Sequence, residues 1–304
     1  MNKNIKIKSN IPPYKILVLI LAISLIITIP YGAVKFFYHA DSQTDISRSL
    51  EEDKQRQNKL ENQKNDLVGK IAQENTDFGF TSTLDNYKTN KSPDTKWQIN
   101  WQTNFGDLNF ELNSQDAPIN VENFIRLNAR NSYKNSIIHR TVKQSNIKII
   151  QGGDFDKFDG TGGQSAYYVN EQFDNLIPDE NWKTKPDIDL ETGETKGGVV
   201  PNIQYYKNFN SQTGEIEYPK GLILVAKKKY PDSASSQYFI TLDKTVLPAQ
   251  FTVIGKVTDN TINTLDKINL EVSVGQDSKN PSDGFPNKEI KILSTEVKKS
   301  VGFF

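Results

Sequence analysis

The chain lacks cysteine altogether, and it has only one methionine and two histidines among its 304 residues. Without cysteine it has no disulfide, no thiolate nucleophile and no cysteine-ligated metal. The two histidines, His39 and His139, are too few for a histidine metal cage. The composition therefore argues against a metal site built from cysteine or histidine ligands. The absence of cysteine does not identify the compartment.

The chain also lacks a net charge, since 37 lysines and arginines balance 37 aspartates and glutamates. No basic excess is available to neutralise phosphates, so the composition argues against nucleic acid as a partner. Hydrophobic residues make up 36% and charged residues 24% of the chain, with only 18 glycines and 13 prolines. These values indicate that most of the chain is folded and soluble rather than disordered.

Long apolar runs are absent except for one near the N-terminus, at residues 16–38. This run has roughly the 20 residues that a bilayer-spanning helix needs. Four lysines and no acidic residue precede it, which predicts a cytoplasmic tail at 1–15 and a single transmembrane anchor in the plasma membrane, with the rest of the chain outside. A cleaved signal peptide is the alternative. The missing small-x-small site favours the uncleaved anchor, because Ala33 and Ala40 each follow a tyrosine two residues earlier.

Residues 39–75 are polar and charge-dense, and they contain no proline. A few apolar residues fall on alternating heptad positions, but polar residues fill the other sites of that seam. The apolar positions are Ile46, Leu50, Leu60, Leu67 and Ile71. The pattern favours a solvated helical stalk over a stable coiled-coil dimer and predicts at most weak self-association. Residues 76–96 are rich in Thr, Asn, Ser and Asp, which predicts a linker.

Short strand patterns dominate the region from residue 97 to residue 298, which we assign to one domain. Apolar residues at 121, 124 and 125 have the spacing of a helix. Alternating or continuous apolar segments predict strands at 97–101, 107–112, 148–151, 221–226, 237–242, 251–257 and 290–297. One helix and many short strands favour a closed antiparallel barrel over alternating βα units.

Several motifs of this domain follow one another in a characteristic order. They are Phe105-Gly106-Asp107, Ala117-Pro118, Val121-Glu122-Asn123-Phe124, Ile138-His139-Arg140, Gln151-Gly152-Gly153-Asp154, Gly160-Thr161-Gly162-Gly163, and the segments 221–226, 236–240 and 251–257. Each motif alone is weak, but together they resemble the cyclophilin family of peptidyl-prolyl cis-trans isomerases. The resemblance covers residues 97–297. It implies a mainly β fold, a closed antiparallel eight-stranded barrel with flanking helices, and an activity without cofactor or metal.

The chemistry of prolyl isomerisation suits the residue types in these motifs. An X–Pro bond rotates over a barrier of about 18–20 kcal/mol because the amide is conjugated. In the twisted amide the prolyl nitrogen regains its lone pair, and a guanidinium aimed at it stabilises that state more than the planar one. The resemblance assigns this role to Arg140, with Gln151 orienting it, so we expect these two residues to be catalytic.

The resemblance also implies which residues bind the substrate. Gln237 matches a glutamine that orients the arginine and the peptide backbone, and Phe239 and Leu247 match positions of the proline pocket. Val225 and Ala226 match the strand along which the peptide lies. His139 directly precedes the arginine, and we expect it to be a structural or groove-edge residue that contacts the substrate rather than a base, because no proton has to move.

The chain departs from the family around the expected pocket. No aromatic residue stands between the arginine and the first glutamine, so Ile147 or Ile149 must supply the pocket floor. Val246 stands where many members have tryptophan, and Phe251, also expected to line the site, stands where many have histidine. Residues 182–218 exceed what the family needs and predict an insert.

We therefore expect a peptidyl-prolyl cis-trans isomerase that assists the folding of exported proteins outside the membrane, with proline-containing polypeptides as clients. The altered pocket leaves open a catalytically weak proline-peptide-binding or chaperone-like module on the same fold. A structural surface protein is a third alternative, which would require that the insert, and not the rest of the domain, determine the function. The joint presence of Arg140, Gln151 and Gln237 favours catalysis, because a pure binder needs no guanidinium at the prolyl nitrogen.

Overall fold

The structure is a computed structural model that describes residues 43–88, 96–169, 176–180, 187–188, 195–196, 209–210 and 212–300. The chain divides into two units, residues 1–62 and residues 63–304. The described part of the first unit is helical, and nearly all of its side chains are exposed. The second unit contains the β-sheets and all of the predicted site residues.

The first helix, α1, covers Gln43–Phe78 and includes most of the predicted stalk. Within the second unit, its C-terminal part is not solvated on all sides, because Leu67 and Ile71 are buried in the main hydrophobic core. Phe80 and Tyr87, which follow the helix in the predicted linker, are buried in the same core. The end of the predicted stalk and part of the predicted linker therefore belong to the folded domain.

The described residues contain two further helices and a set of short strands. The helices are α2 (Pro118–Ala129) and α3 (Ile262–Glu271). The strands are β1 (Lys96–Thr103), β2 (Gly106–Leu112), β3 (Arg140–Lys143), β4 (Lys148–Gly152), β5 (Asp187–Ile188), β6 (Thr195–Lys196), β7 (Phe209–Asn210), β8 (Glu215–Tyr218), β9 (Leu222–Lys227), β10 (Ala234–Thr241), β11 (Thr245–Pro248), β12 (Val253–Val257), β13 (Asp283–Gly284) and β14 (Ile292–Ser300). Each predicted strand is present near its predicted bounds, and α2 confirms the predicted helix.

The prediction of a closed eight-stranded barrel is wrong. The main sheet has nine strands in the order β13-β3-β4-β10-β9-β12-β2-β1-β14, and its two edge strands are not paired with each other. The chain before β3 meets the chain at the start of β14 at an isolated antiparallel bridge between Ile137 and Lys291, and the Asn135 N–H also donates to the carbonyl oxygen of Ile292. Two strands of this sheet, β3 and β13, are not among the seven strands named from the sequence, and β13, which pairs with β3, has only two residues. A strand so short has no alternating pattern from which it could be predicted.

The fold prediction also included a transmembrane helix. In the part of the chain that the structure describes, no helix combines the length and the apolar character that crossing a bilayer requires. The predicted anchor at residues 16–38 and the predicted tail at residues 1–15 lie outside the described residues.

Apolar side chains lie on both faces of the main sheet. The main core contains Ile150 of β4 and Ile240 of β10, together with side chains of α2. A second cluster contains Ile149 of β4 and Phe239 of β10. Because successive residues of a strand point to opposite faces, the two clusters lie on opposite faces of the sheet. Both faces are thus packed, and the predicted site residues must be assigned to one of them.

Two smaller sheets come largely from the predicted insert. β8 lies between β7 and β11 in a three-stranded sheet, and β5 pairs with β6. Of the insert, residues 187–188, 195–196, 209–210 and 212–218 are described. Ile216 and Tyr218 of β8 are buried in the second cluster, so the described end of the insert packs against the main sheet.

Candidate active site

The predicted site begins with one row of residues across adjacent strands of the main sheet. Arg140 in β3 is directly opposite Gln151 in β4, and Gln151 is directly opposite Phe239 in β10. Phe239 is in turn opposite Leu224 in β9. Residues that are directly opposite in antiparallel strands point to the same face and are neighbours there. The strand register therefore places the arginine and the glutamine beside apolar side chains that are distant in the sequence.

A series of side-chain hydrogen bonds begins at Arg140. Its Nη1 donates to Oε1 of Gln151 at 2.9 Å, and Nε2 of Gln151 donates to Oε1 of Gln237 at 3.0 Å. Nε2 of Gln237 donates to the carbonyl oxygens of Gly160 at 2.9 Å and Gly162 at 2.8 Å. Because a side-chain amide both donates and accepts, each glutamine accepts a hydrogen bond from one neighbour and donates one to the next. The three polar residues that the sequence singled out thus form one bonded unit.

Asp283 is a member of this unit that the sequence analysis missed. Nε and Nη2 of Arg140 donate to its two carboxylate oxygens, each at 2.7 Å. The hydrogen bond and the charge of Asp283 raise the pKa of Arg140 above its ordinary value, so the guanidinium stays charged. Asp283 lies far along the chain in β13, after Asn280-Pro281-Ser282. That segment has the composition of a turn, which does not indicate a functional carboxylate.

A glycine-rich loop at residues 154–163 borders the glutamines, and Asp154 organises it. Its buried carboxylate accepts backbone N–H groups of Lys157, Gly160 and Gly162 at 2.8–3.0 Å. Burial alone would raise the pKa of Asp154, but these hydrogen bonds hold it well below its ordinary value. Gly163 has a φ of +91°, and a Cβ there would overlap the side-chain oxygen of Ser236. The loop therefore needs glycine at this position.

His139 lies beneath this loop. Its ring atoms are 3.1 and 3.2 Å from the position that a Cβ on Gly160 would take, and the residue is 3% exposed. Burial lowers the pKa of His139 below its ordinary value, which keeps the ring neutral at pH 7. The residue supports the loop from below instead of lying on the groove surface. A contact with substrate stays a prediction.

A groove with a volume of 680 Å³ opens beside the two glutamines. Gln151, Gln237 and Ala226 line it together with the glycine-rich loop, as does Lys227. The Lys227 ammonium is engaged in the protein, because it pairs with Asp179 at 2.5 Å and both side chains are 2% exposed. Three of the predicted site residues thus line one groove, whose volume lies in the range of ligand-binding clefts.

The predicted pocket residues gather in the second cluster on the same face of the sheet. Phe239 and Ile149 are buried there, and Ile147, Leu247 and Phe251 are partly buried against it. The rings of Phe239 and Phe251 meet edge to face with centroids 5.1 Å apart. Both candidate isoleucines therefore lie in the apolar part of the site, next to the row that contains the arginine.

Val225 also lies apart from this group of predicted residues. It is buried in the main core, whereas its neighbours Leu224 and Ala226 contact the second cluster. Its backbone N–H donates to the carbonyl oxygen of Thr252. The sequence could not assign its face, because β9 is a continuous apolar run without alternation.

The arrangement offers hydrogen bonding rather than a nucleophile. Three of the five N–H groups of Arg140 bond to Gln151 and Asp283, which leaves one on Nη1 and one on Nη2 for a ligand. Within the described ranges, no three His, Asp or Glu side chains are close enough together to hold a metal ion. The site presents an oriented cation beside an apolar pocket.

Comparisons with known proteins match the same region of the chain. A family model described as cyclophilin type peptidyl-prolyl cis-trans isomerase/CLD matches residues 98–297. The probable peptidyl-prolyl cis-trans isomerase B of Mycobacterium tuberculosis is 27% identical over 209 residues, which cover 68% of this chain and 57% of that protein. The peptidyl-prolyl cis-trans isomerase CYP57 of Arabidopsis thaliana is 31% identical over 206 residues, which cover 67% of this chain and 32% of that protein. The chain thus spans little more than half the length of the mycobacterial relative.

Among solved structures, the chain is similar to a cyclophilin type peptidyl-prolyl cis-trans isomerase of Cryptosporidium parvum. The two are 27% identical, with a TM-score of 0.44, and the match covers 68% of this chain and 99% of that chain.

Proposed function

The chain belongs to the family of cyclophilin-type peptidyl-prolyl cis-trans isomerases, and from this premise we propose that it catalyses the cis–trans isomerisation of X–Pro bonds. One observation carries the proposal for this chain. The guanidinium of Arg140 is fixed by Gln151 and lies in the same row of the sheet as the apolar Phe239. A proline ring held against the apolar side chains would bring its amide within reach of the arginine.

The proposed mechanism needs no bond to break. In the planar amide the prolyl nitrogen shares its lone pair with the carbonyl and accepts a hydrogen bond poorly. As the bond twists, the lone pair returns to the nitrogen, and an N–H of Arg140 can donate to it. The hydrogen bond therefore strengthens toward the transition state and lowers the barrier by differential binding. Ile149, Leu247 and Phe251 would hold the proline ring while the preceding residue rotates.

The test compares the full chain with its Arg140→Ala variant in a cis-to-trans assay on a proline-containing peptide. We expect kcat/KM to fall on the order of 10²–10³-fold, as is typical for the loss of one preorganised donor, while peptide affinity falls much less. Arg140→Lys should not restore the rate, because an ammonium lacks the planar fork that Gln151 and Asp283 bind. Arg56→Ala, which removes an exposed arginine of α1, is the matched control.

The outcomes separate the candidate functions. Unchanged turnover in Arg140→Ala, with circular dichroism showing an intact fold, would place the chemistry elsewhere. Peptide binding without turnover by the unaltered chain would favour the catalytically weak binding or chaperone-like module instead.

Action on exported proteins outside the plasma membrane is a further part of the proposal, and it rests on the sequence of the N-terminal segment alone. Protease added to intact cells should then digest the isomerase domain, and a domain that is digested only after lysis would contradict this location. Weak self-association of the stalk likewise stays a prediction, which sedimentation of the full chain at increasing concentration would test.

A further inference from the structure

We propose that Asp283 is the positioning residue of the site, holding the guanidinium of Arg140 in the orientation that prolyl isomerisation requires. The inference rests on the proposed function, and it assigns a role to a residue outside the motifs that identify the family. Asp283 would not touch the substrate. It would act through the arginine.

The geometry of the pair restricts the arginine more than a single contact could. Two parallel hydrogen bonds of 2.7 Å join Nε and Nη2 to the two oxygens of Asp283. Such a fork fixes the plane of a guanidinium, because both donors and both acceptors must stay coplanar. The third bond, from Nη1 to Gln151, comes from another strand. The guanidinium is thus held on two sides, by β13 and by β4.

The carboxylate is itself held by the backbone. Asp283 is opposite Val142 and Gly284 is opposite Thr141, so β13 runs along the strand that carries the arginine. The Asp283 N–H donates to the carbonyl oxygen of Asn280. A Cβ on Gly284 would overlap the side chain of Ser278, so the close approach at this point depends on glycine. The acceptor is therefore in place before a substrate arrives.

The remaining donors explain why this orientation matters. With three N–H groups engaged, one N–H on Nη1 and one on Nη2 remain, and the fork determines where they point. An arginine side chain without these partners samples many rotamers, most of which would miss the prolyl nitrogen. The side chain of Arg140 is 42% exposed, so without these partners it could turn into the solvent.

The test measures turnover and binding separately for the full chain and for Asp283→Asn, which keeps the size but loses one acceptor of the fork. We expect kcat to fall about 10- to 100-fold, as for a misplaced catalytic group, with a change of at most about twofold in peptide affinity. Asp283→Glu should recover part of the rate, since it restores both acceptors. The matched control is Asp266→Asn, because Asp266 of α3 forms an exposed ion pair with Lys220. This variant should leave kcat and peptide affinity unchanged.

A double variant separates positioning from a general effect on the fold. In the Arg140→Ala background, Asp283→Asn should have no further effect on the rate, because the residue acts only through the arginine. An equal loss of rate in both backgrounds, or full turnover of Asp283→Asn alone, would overturn the proposal.

A readout without turnover keeps this inference distinct from the proposed function. In the unaltered chain, the Nε–H proton of Arg140 should exchange slowly with water in nuclear magnetic resonance spectra, and exchange should become fast in Asp283→Asn. Slow exchange together with an inactive chain would support the positioning role and contradict the isomerase function. Fast exchange in the unaltered chain would contradict the positioning role whatever the activity.

Discussion

Gln237 joins the arginine to the glycine-rich loop. It accepts a hydrogen bond from Gln151 and donates to the carbonyl oxygens of Gly160 and Gly162. A carbonyl oxygen can only accept, so this position needs a side chain that donates on one side and accepts on the other. The amide satisfies this need without adding a charge beside the arginine.

Gln237→Glu should therefore reduce isomerase activity. The second carboxylate oxygen would face two carbonyl oxygens where Nε2 now donates, so we expect the loop to move and the rate to fall roughly 10- to 100-fold. Peptide affinity should fall as well, because the loop lines the groove. The cis-to-trans assay on a proline-containing peptide measures the rate, and a binding titration with the same peptide measures the affinity. Gln212→Glu, the same change at an exposed position of the insert, is the control. Full activity of Gln237→Glu would show that the amide is dispensable.

At the scale of elements, the C-terminal end of α1 is joined to α2 by buried charges. Arg126 of α2 is fully buried, and it donates to Glu122 at 2.9 Å and to Glu74 of α1 at 2.6 Å. Arg130 also pairs with Glu74, at 2.6 Å. The guanidinium of Arg126 lies 4.9 Å above the ring of Phe80, which follows α1. The ion pairs and this stacking hold residues 74–80 on the domain.

Arg126→Met should strongly destabilise the domain. The substitution removes the guanidinium that pairs with the buried Glu122, while Glu74 keeps its pair with Arg130. Breaking a buried pair in this way costs about 3–5 kcal/mol. Urea unfolding of the full chain followed by circular dichroism measures the loss. Lys70→Met is the matched control, because Lys70 pairs with Asp66 on the exposed side of the same helix. Its cost should stay within about 0.5 kcal/mol, and an equal cost for both variants would contradict the role of the buried network.

At the scale of the whole molecule, a buried carboxylate ties the stability of the fold to pH. Ala117 provides no side-chain cap for α2, and Glu180 accepts the N–H groups of Ile119 at 3.1 Å and Asn120 at 2.8 Å instead. Burial raises the pKa of Glu180 from its ordinary value of 4.5 to about 7, although these hydrogen bonds oppose the shift. The folded state thus binds a proton in a pH range where the unfolded chain has released it.

We expect the free energy of unfolding to fall as pH rises from about 5 to about 8. Between the unfolded and folded pKa values the folded state holds more protons, so stability decreases with rising pH, by roughly 1–3 kcal/mol in total for one group. Glu180→Gln removes the titration and should flatten this dependence. Urea unfolding at several pH values checks it. A dependence that is the same in Glu180→Gln would assign the effect to another group.

Most of the elements and the polar residues of the site could be predicted from the sequence. Alternation of apolar residues predicted strands such as β1, where Trp97, Ile99 and Trp101 are buried on one face. The order of the motifs identified Arg140, Gln151 and Gln237, which the structure joins by hydrogen bonds. The alternation is local, because it depends on the spacing of neighbouring residues along the chain. The roles of the polar residues came instead from the resemblance to a known family, which rests on the order of motifs over residues 97–297.

Features that depend on contacts between distant segments could be learned only from the folded chain. Leu67, Ile71 and Glu74 have the spacing of one helix face, which fits a coiled-coil seam and a docked helix equally well. Their burial follows from partners such as Arg126, which the heptad pattern does not contain. Asp283 meets Arg140 because β13 pairs with β3, and the same pairing adds the ninth strand to a sheet that does not close. Pairing between distant strands sets both the extent of the sheet and the acceptor of the arginine, since neither is encoded in a local period.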